Sequence, residues 1–170
     1  HGVIGDPAED GYVSLSGTSM ATPHVAGAAA ILTQQHPGWS PRQRKTLLMG
    51  AAQPSEGVDV FGQGAGRVDV ARAVRQTVSV DEGSISFGRQ LWPHADDVPV
   101  TKTVTYRNAG TAPVTLSLAL ETDSEAFSVA ATTLTVPAGG TATTTITADT
   151  RGGEPDGFLT GRLVATGAGG

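Results

Sequence analysis

The chain has 170 residues, 16 Asp and Glu against 11 Lys and Arg, a formal net charge of -5 and no cysteine. Its charge is well spread, so no basic patch points to nucleic acid or to an anionic membrane surface, and without cysteine there are no internal disulfides and no thiolate metal sites. The longest apolar run, residues 25–32, is far below the roughly 18 residues a membrane span needs, and the length suits one domain or two small ones.

Residues 1–15 lack periodicity and hold two turn signals, Gly5-Asp6-Pro7 and Glu9-Asp10-Gly11, so they are predicted as a loop. That loop leads into Gly17-Thr18-Ser19-Met20-Ala21-Thr22-Pro23-His24-Val25-Ala26-Gly27. Ser19 sits in a tight Gly-Thr-Ser turn before a helix of small apolar residues. The common job of a serine before a helix is to cap it. A second job is chemical. A serine hydroxyl attacks only when something takes its proton and something else holds the oxyanion, and the free N–H groups and positive end of a helix serve the second need.

The helix that follows carries no Asp, Glu, Lys or Arg from Ser19 to Gln35 and is apolar on every face, so it is predicted buried at the centre of a larger domain. Pro23 falls about one turn in, where it costs at most one backbone bond, and Pro37 marks the stop. His24, five residues after Ser19, lies roughly 7 Å along the helix axis and is rotated away. It is predicted to be structural, donating a buried hydrogen bond, rather than the base for Ser19.

A second helix starts with Ser40 as N-cap and Pro41 in the first helical position, with Gln43 placed as in a capping box. Leu47 and Leu48 give it one apolar face, and residues 50–54 end it. Gly62-Gln63-Gly64-Ala65-Gly66 then precedes a short helix over residues 68–74 with Asp69 near its start. The third glycine comes one residue too early for a dinucleotide fingerprint.

After Gln76 the texture changes to alternating Thr, Ser and aliphatic residues. Thr77-Val78-Ser79-Val80 opens it, followed by Ile85 and Phe87, Val104 and Tyr106, Leu116, Leu118 and Leu120, then Leu134 and Val136. Turn clusters stand at Asn108-Ala109-Gly110 and Pro137-Ala138-Gly139-Gly140. About seven short half-exposed strands predict a β-sandwich of immunoglobulin or fibronectin type. Its last strand is expected to be missing, because Leu163-Val164-Ala165 runs into terminal glycines. His1, His36 and His94 are scattered without ligand spacing, so no metal site is assigned. Asp149, Glu154 and Asp156 lack a calcium-loop pattern and read as a solvated turn.

The residues around Ser19 do not suit other serine enzymes. There is no second glycine of a nucleophile elbow and no lysine at Ser-x-x-Lys spacing. Residues 17–27 instead resemble, position for position, the nucleophile-serine motif of the subtilisin-like serine proteases (subtilases). The Gly-x-Gly-x-Gly-x-Val-Asp stretch at residues 62–69 resembles the segment that closes subtilase catalytic domains. The later part resembles, less specifically, sandwich modules appended to secreted bacterial proteases. The resemblance implies an α/β fold for residues 1–76, the C-terminal part of a subtilisin-like parallel-sheet catalytic domain. An all-β sandwich over residues 77–170 would follow.

It further implies a serine endopeptidase acting on protein or peptide substrates through a Ser-His-Asp triad and an acyl-enzyme. Ser19 would be the nucleophile and lend its backbone N–H to the oxyanion hole, while Gly17, Thr18 and Pro23 shape the motif. A histidine at the position of His24 is not the family's triad histidine. The triad order is aspartate, histidine, serine, and residues 1–18 cannot hold the two earlier motifs. The chain is therefore expected to be a fragment, inactive alone, whose partner is the missing N-terminal part of its own catalytic domain. The family's asparagine oxyanion donor is expected upstream as well. No cofactor is implied; calcium, frequent in the family, is not assignable to residues here. The family is secreted or held at the cell surface. The alternative is a binding or adhesion module whose protease portion is a relic, but the intact run at residues 17–23 favours the enzyme.

Overall fold

The computed structural model describes residues 6–7, 12–153 and 155–167. Glu9-Asp10-Gly11, His1, Glu154 and the terminal residues 168–170 lie outside them. Contacts divide the chain into two compact units, His1–Ser40 and Pro41–Gly170.

In the first unit the predicted loop holds a short ladder: β1 (Asp6–Pro7) runs antiparallel to β2 (Val13–Ser14), with Asp6 opposite Ser14 and Pro7 opposite Val13. Two residues per strand are too few for alternation to show in sequence. Helix α1 (Thr18–Gln35) follows and stops where Pro37 requires, the His36 N–H donating to the Leu32 carbonyl at 2.9 Å. Its burial differs from the expectation. Only Ala28 and Leu32, one turn apart on one face, are buried, while Met20, Val25 and Ile31 are 37–47% exposed. A helix apolar on every side needs neighbours on every side, and only one narrow stripe of α1 is covered.

The second unit opens with α2 (Pro41–Ala51), starting at the proline as predicted and burying Thr46, Leu47, Leu48 and Ala51. A four-residue helix that sequence did not announce, α3 (Val60–Gln63), is capped by the Asp59 carboxylate, which accepts from the Gly62 N–H at 2.7 Å. Helix α4 (Val70–Arg75) is capped by Asp69, which accepts from the Arg72 N–H at 2.8 Å. That bond, more than the charges of Arg75 and Arg72, holds the Asp69 carboxyl below its usual range. Helix α2 packs against α4 and against the first strand of the β region.

Seven strands follow among the described residues: β3 (Val78–Val80), β4 (Val100–Asn108), β5 (Val114–Glu121), β6 (Phe127–Val129), β7 (Thr133–Val136), β8 (Thr141–Ala148) and β9 (Arg162–Gly167). They form two antiparallel sheets, ordered β3-β4-β8-β6 and β7-β5-β9. One apolar cluster draws on both: Val104 and Tyr106 from β4, Ile146 from β8, Leu116 and Leu118 from β5, Val136 from β7. Burial there, with Glu82 adding its charge, pushes the Tyr106 hydroxyl up to about 12. Ile85 and Phe87 pack against this cluster but are not in a strand, so their alternation reported burial without a ladder.

The Asn108 turn is more than punctuation. Asn108 is the last residue of β4 and 2% exposed. Its amide oxygen accepts from the Gly110 N–H at 2.9 Å, and its amide nitrogen donates to the carbonyls of Ala112 (2.8 Å) and Val136 (3.3 Å).

Candidate active site

Everything around Ser19 follows from the backbone of Gly17. Its φ of 148° and ψ of 165° lie in a region essentially closed to residues with a Cβ. A Cβ there would meet nothing within 4 Å, so the need for glycine is conformational and not a matter of close approach. From this position the Gly17 carbonyl accepts from the N–H groups of Met20 (3.0 Å) and Ala21 (3.1 Å), which makes Gly17 the N-cap of α1.

Ser19 is therefore the second helical residue, exposed, and no side chain caps this helix. Capping as the role of Ser19 is overturned by position. The amides of Thr18 and Ser19 lie before the intrahelical ladder begins and point to the positive end of the helix. A hydroxyl beside unspent N–H donors is what nucleophilic attack followed by oxyanion capture requires.

The neighbours support that turn. Thr22 donates its hydroxyl to the Thr18 carbonyl at 2.8 Å. Pro23 has no N–H to give the Ser19 carbonyl four residues back, so it loosens the ladder at the first turn. His24 Nδ1 donates to the Met20 carbonyl of its own helix at 2.7 Å. The predicted bond exists, but it is exposed and not buried. With Nδ1 committed there, His24 is a local helix contact and not a partner of Ser19.

The second glycine cluster has its own physical reason. Gly66 has a φ of 115°, and a Cβ on it would come within 2.4 Å of the Gln53 carbonyl oxygen. Only glycine lets Gln53 and Arg67 exchange their two backbone hydrogen bonds at 2.8 Å each.

The remaining candidates separate. His36 stacks on Trp39 with ring centroids 3.9 Å apart. Asp149 is paired with Arg151, whose guanidinium hydrogen bond brings the carboxyl down to about 2. Asp156 belongs instead to His94. No group of three or more His, Asp or Glu suited to a metal ion occurs among the described residues, and no described helix is long and apolar enough to cross a membrane. His94 is what sequence reasoning passed over, since both its ring nitrogens face carboxylates. Its only linear signal is the His94-x-x-Asp97 spacing.

A protein-family model described as the subtilase family matches residues 3–67, which include the whole of residues 17–27. Over these residues, fewer than half of its length, the chain is similar to the subtilase family. Among curated relatives, the minor extracellular protease Vpr of Bacillus subtilis is 36% identical over 117 residues, 65% of this chain and 14% of that protein. A subtilisin-like protease of Arabidopsis thaliana is 38% identical over 90 residues, 51% of this chain and 12% of its own length. Subtilisin Savinase of Lederbergia lenta is 45% identical over 60 residues, 35% of this chain and 22% of that protein. The chain thus spans between 12% and 22% of these relatives. The match over residues 3–67 supports an α/β catalytic domain there, and two antiparallel sheets lie further along the chain.

Proposed function

We propose that Ser19 is the nucleophile of a subtilisin-like serine endopeptidase, with the triad histidine and aspartate supplied from outside this chain. The observation that carries the reading is the placement of an exposed Ser19 at the second position of α1, behind a glycine-only cap, within a subtilase match. Ser19 Oγ gives its proton to the histidine and attacks the scissile carbonyl carbon. The oxyanion that forms is met by the Ser19 N–H. The histidine returns the proton to the departing amine, leaving an acyl-enzyme that water hydrolyses. Gly17, Thr18 and Pro23 fix the turn that makes this geometry.

In this reading residues 1–76 end the catalytic domain and residues 77–170 form an accessory β-sandwich of immunoglobulin or fibronectin type. The apolar cluster shared by the two sheets supports the sandwich. Substrates are proteins or peptides. The enzyme works outside the cell, as the name of the Bacillus subtilis relative says of that protein. Alone, this chain has no base for Ser19 and is inactive.

Labelling the full-length parent with a fluorophosphonate probe and mapping the modified peptide by mass tests the reading. An adduct on Ser19 that is absent after Ser19→Ala supports it. A folded, mature parent with no adduct at Ser19 refutes it and returns the search to the β region as a binding module.

A further inference from the structure

His94 stands in the short 3-10 helix His94–Asp96, ahead of β4. Its Nδ1 lies 2.9 Å from Asp97 Oδ2 and its Nε2 3.0 Å from Asp156 Oδ1, sixty-two residues away in the sequence. Asp97 is only 12% exposed in its side chain and also accepts the Thr150 hydroxyl at 2.5 Å. Asp156 is 77% exposed.

The protonation state follows from donor and acceptor counting. An ionised carboxylate only accepts, and neutral imidazole carries one N–H. Both contacts form together only when both ring nitrogens are protonated. When the ring loses a proton, one nitrogen turns a lone pair toward a carboxylate and that contact is repelled. The Asp97 side is held by Thr150 and by burial, so the contact that breaks is the exposed one to Asp156.

Asp156 belongs to a strap, residues 155–159, with no regular structure between the 3-10 helix Thr150–Gly152 and β9. Beyond it the Thr160 carbonyl is anchored by the Thr122 hydroxyl at 2.8 Å. Within it Phe158 meets Phe61 of α3 edge-on at 5.3 Å, yet stays 90% exposed, so that contact holds little area.

We infer that His94 is a pH-operated clasp that pins the strap to the 3-10 helix as imidazolium and releases it as neutral imidazole. The described charged groups around it are Asp97 and Asp156 in contact, Asp96 in the same turn, and Asp149, whose charge reaches Asp97 while it is itself paired with Arg151. The hydrogen bond to Asp97, then that to Asp156, raises His94 above its usual range. The Thr150 hydroxyl first, and His94 second, lower Asp97. The signs set the window. A raised histidine contributes fully below about pH 6.5, its unfolded value, and loses that contribution as pH rises through the folded value. The lowered Asp97 contributes above about pH 3.9 and loses its share as pH falls through its depressed value. The clasp is closed between these limits and opens on the alkaline side.

Histidine C2–H exchange and backbone amide exchange, both read by mass spectrometry between about pH 5 and 9, test this in the whole protein. The expected result is a His94 midpoint above about 6.5. Strap amide exchange, corrected for its intrinsic pH dependence, should accelerate through that same midpoint. Asp156→Asn should move the His94 midpoint down and strip the strap of its acid-side protection, while His94→Gln makes strap exchange independent of pH. A His94 midpoint at or below about 6.5 would overturn the proposal. So would strap protection in Asp156→Asn that still follows the unaltered pH profile.

Discussion

Asn108 gives the sharpest test of how the β region is held together. Replacing it with alanine removes an acceptor for the Gly110 N–H and a donor to the carbonyls of Ala112 and Val136, the last on a residue with no exposure at all. An unsatisfied buried group costs about 1–3 kcal/mol, and carbonyls tolerate a missing partner better than N–H groups do. The three losses together should destabilise the β region by about 2–4 kcal/mol. The bond from the Asn108 N–H to the Gly140 carbonyl at 2.9 Å belongs to the backbone and survives. Asn108→Asp keeps the shape and the acceptor for Gly110 but aims a second oxygen at two carbonyls. Only a protonated carboxyl can donate there, so its folded pKa rises above the usual value of about 3.9. An acid with a raised folded pKa is best tolerated below its unfolded pKa and grows costlier as pH climbs through the folded value. Relative to the parent chain at the same pH, the Asp variant should be nearly neutral at about pH 3 and worse than alanine near pH 7. The urea dependence of amide exchange at Val104, Tyr106 and Ile146 reads opening of this core directly. An alanine variant that loses less than about 0.5 kcal/mol, or an aspartate variant indifferent to pH, would refute the account.

Ser19→Ala should abolish fluorophosphonate labelling of the parent while shifting stability by no more than about 0.5 kcal/mol, because Ser19 is exposed and does not cap α1; thermal melts of the two proteins check this. Gly17→Ala places a Cβ at φ 148° and should cost about 1–3 kcal/mol of local strain. Labelling of Ser19 should therefore fall even though the hydroxyl is still present. Leu47→Ala empties a site 1% exposed on α2 and should cost about 2–5 kcal/mol in denaturant unfolding.

What could be read in the sequence was what a few residues determine alone. Gly17 and Pro37 bracket α1, Pro41 starts α2, and Pro137 to Gly140 make a turn in which the Gly140 N–H returns to the Pro137 carbonyl at 3.1 Å. The five-residue gap between Ser19 and His24 was enough to part them. What escaped was set by partners distant in sequence. Ile85 and Phe87 alternate like a strand, but no neighbour offers them a ladder, so they pack as loop residues. Strand β8 is legible only beside β4, where Thr143, Thr145 and Thr147 stand opposite Thr105, Thr103 and Thr101. Its run of threonines has little apolar contrast of its own. His94 was invisible as a site because the residue that completes it lies sixty-two positions away.

The change of texture after Gln76 looks, in sequence, like the place where one module ends and another begins. The contacts there are those of a joint. Gln76 caps α4 with its N–H, which donates to the Arg72 carbonyl at 2.9 Å, and its side chain donates to the Val78 carbonyl at 2.6 Å. The end of a helix and the start of β3 thus share one residue. Immediately after β3, Asp81 works in three directions. Its N–H donates to the Thr105 carbonyl at 2.9 Å, and its carboxylate takes Arg107 through two bonds of 2.7 Å. Its carbonyl accepts from Arg42 of α2 at 3.2 and 3.3 Å. The Arg107 pair is half-exposed and so contributes modestly by itself, but it orients the residue that α2 grips. A flexible tether would need a run of Gly, Ser or Pro, and Thr77 alone separates the cap of α4 from β3. Helices α2 and α4 therefore move with the sheets. The subtilase match ends at residue 67, whereas the compact unit begins at Pro41. The first boundary marks sequence similarity and the second marks cohesion: α2, α4 and the sheets pack as one unit and not as a body on a free tether.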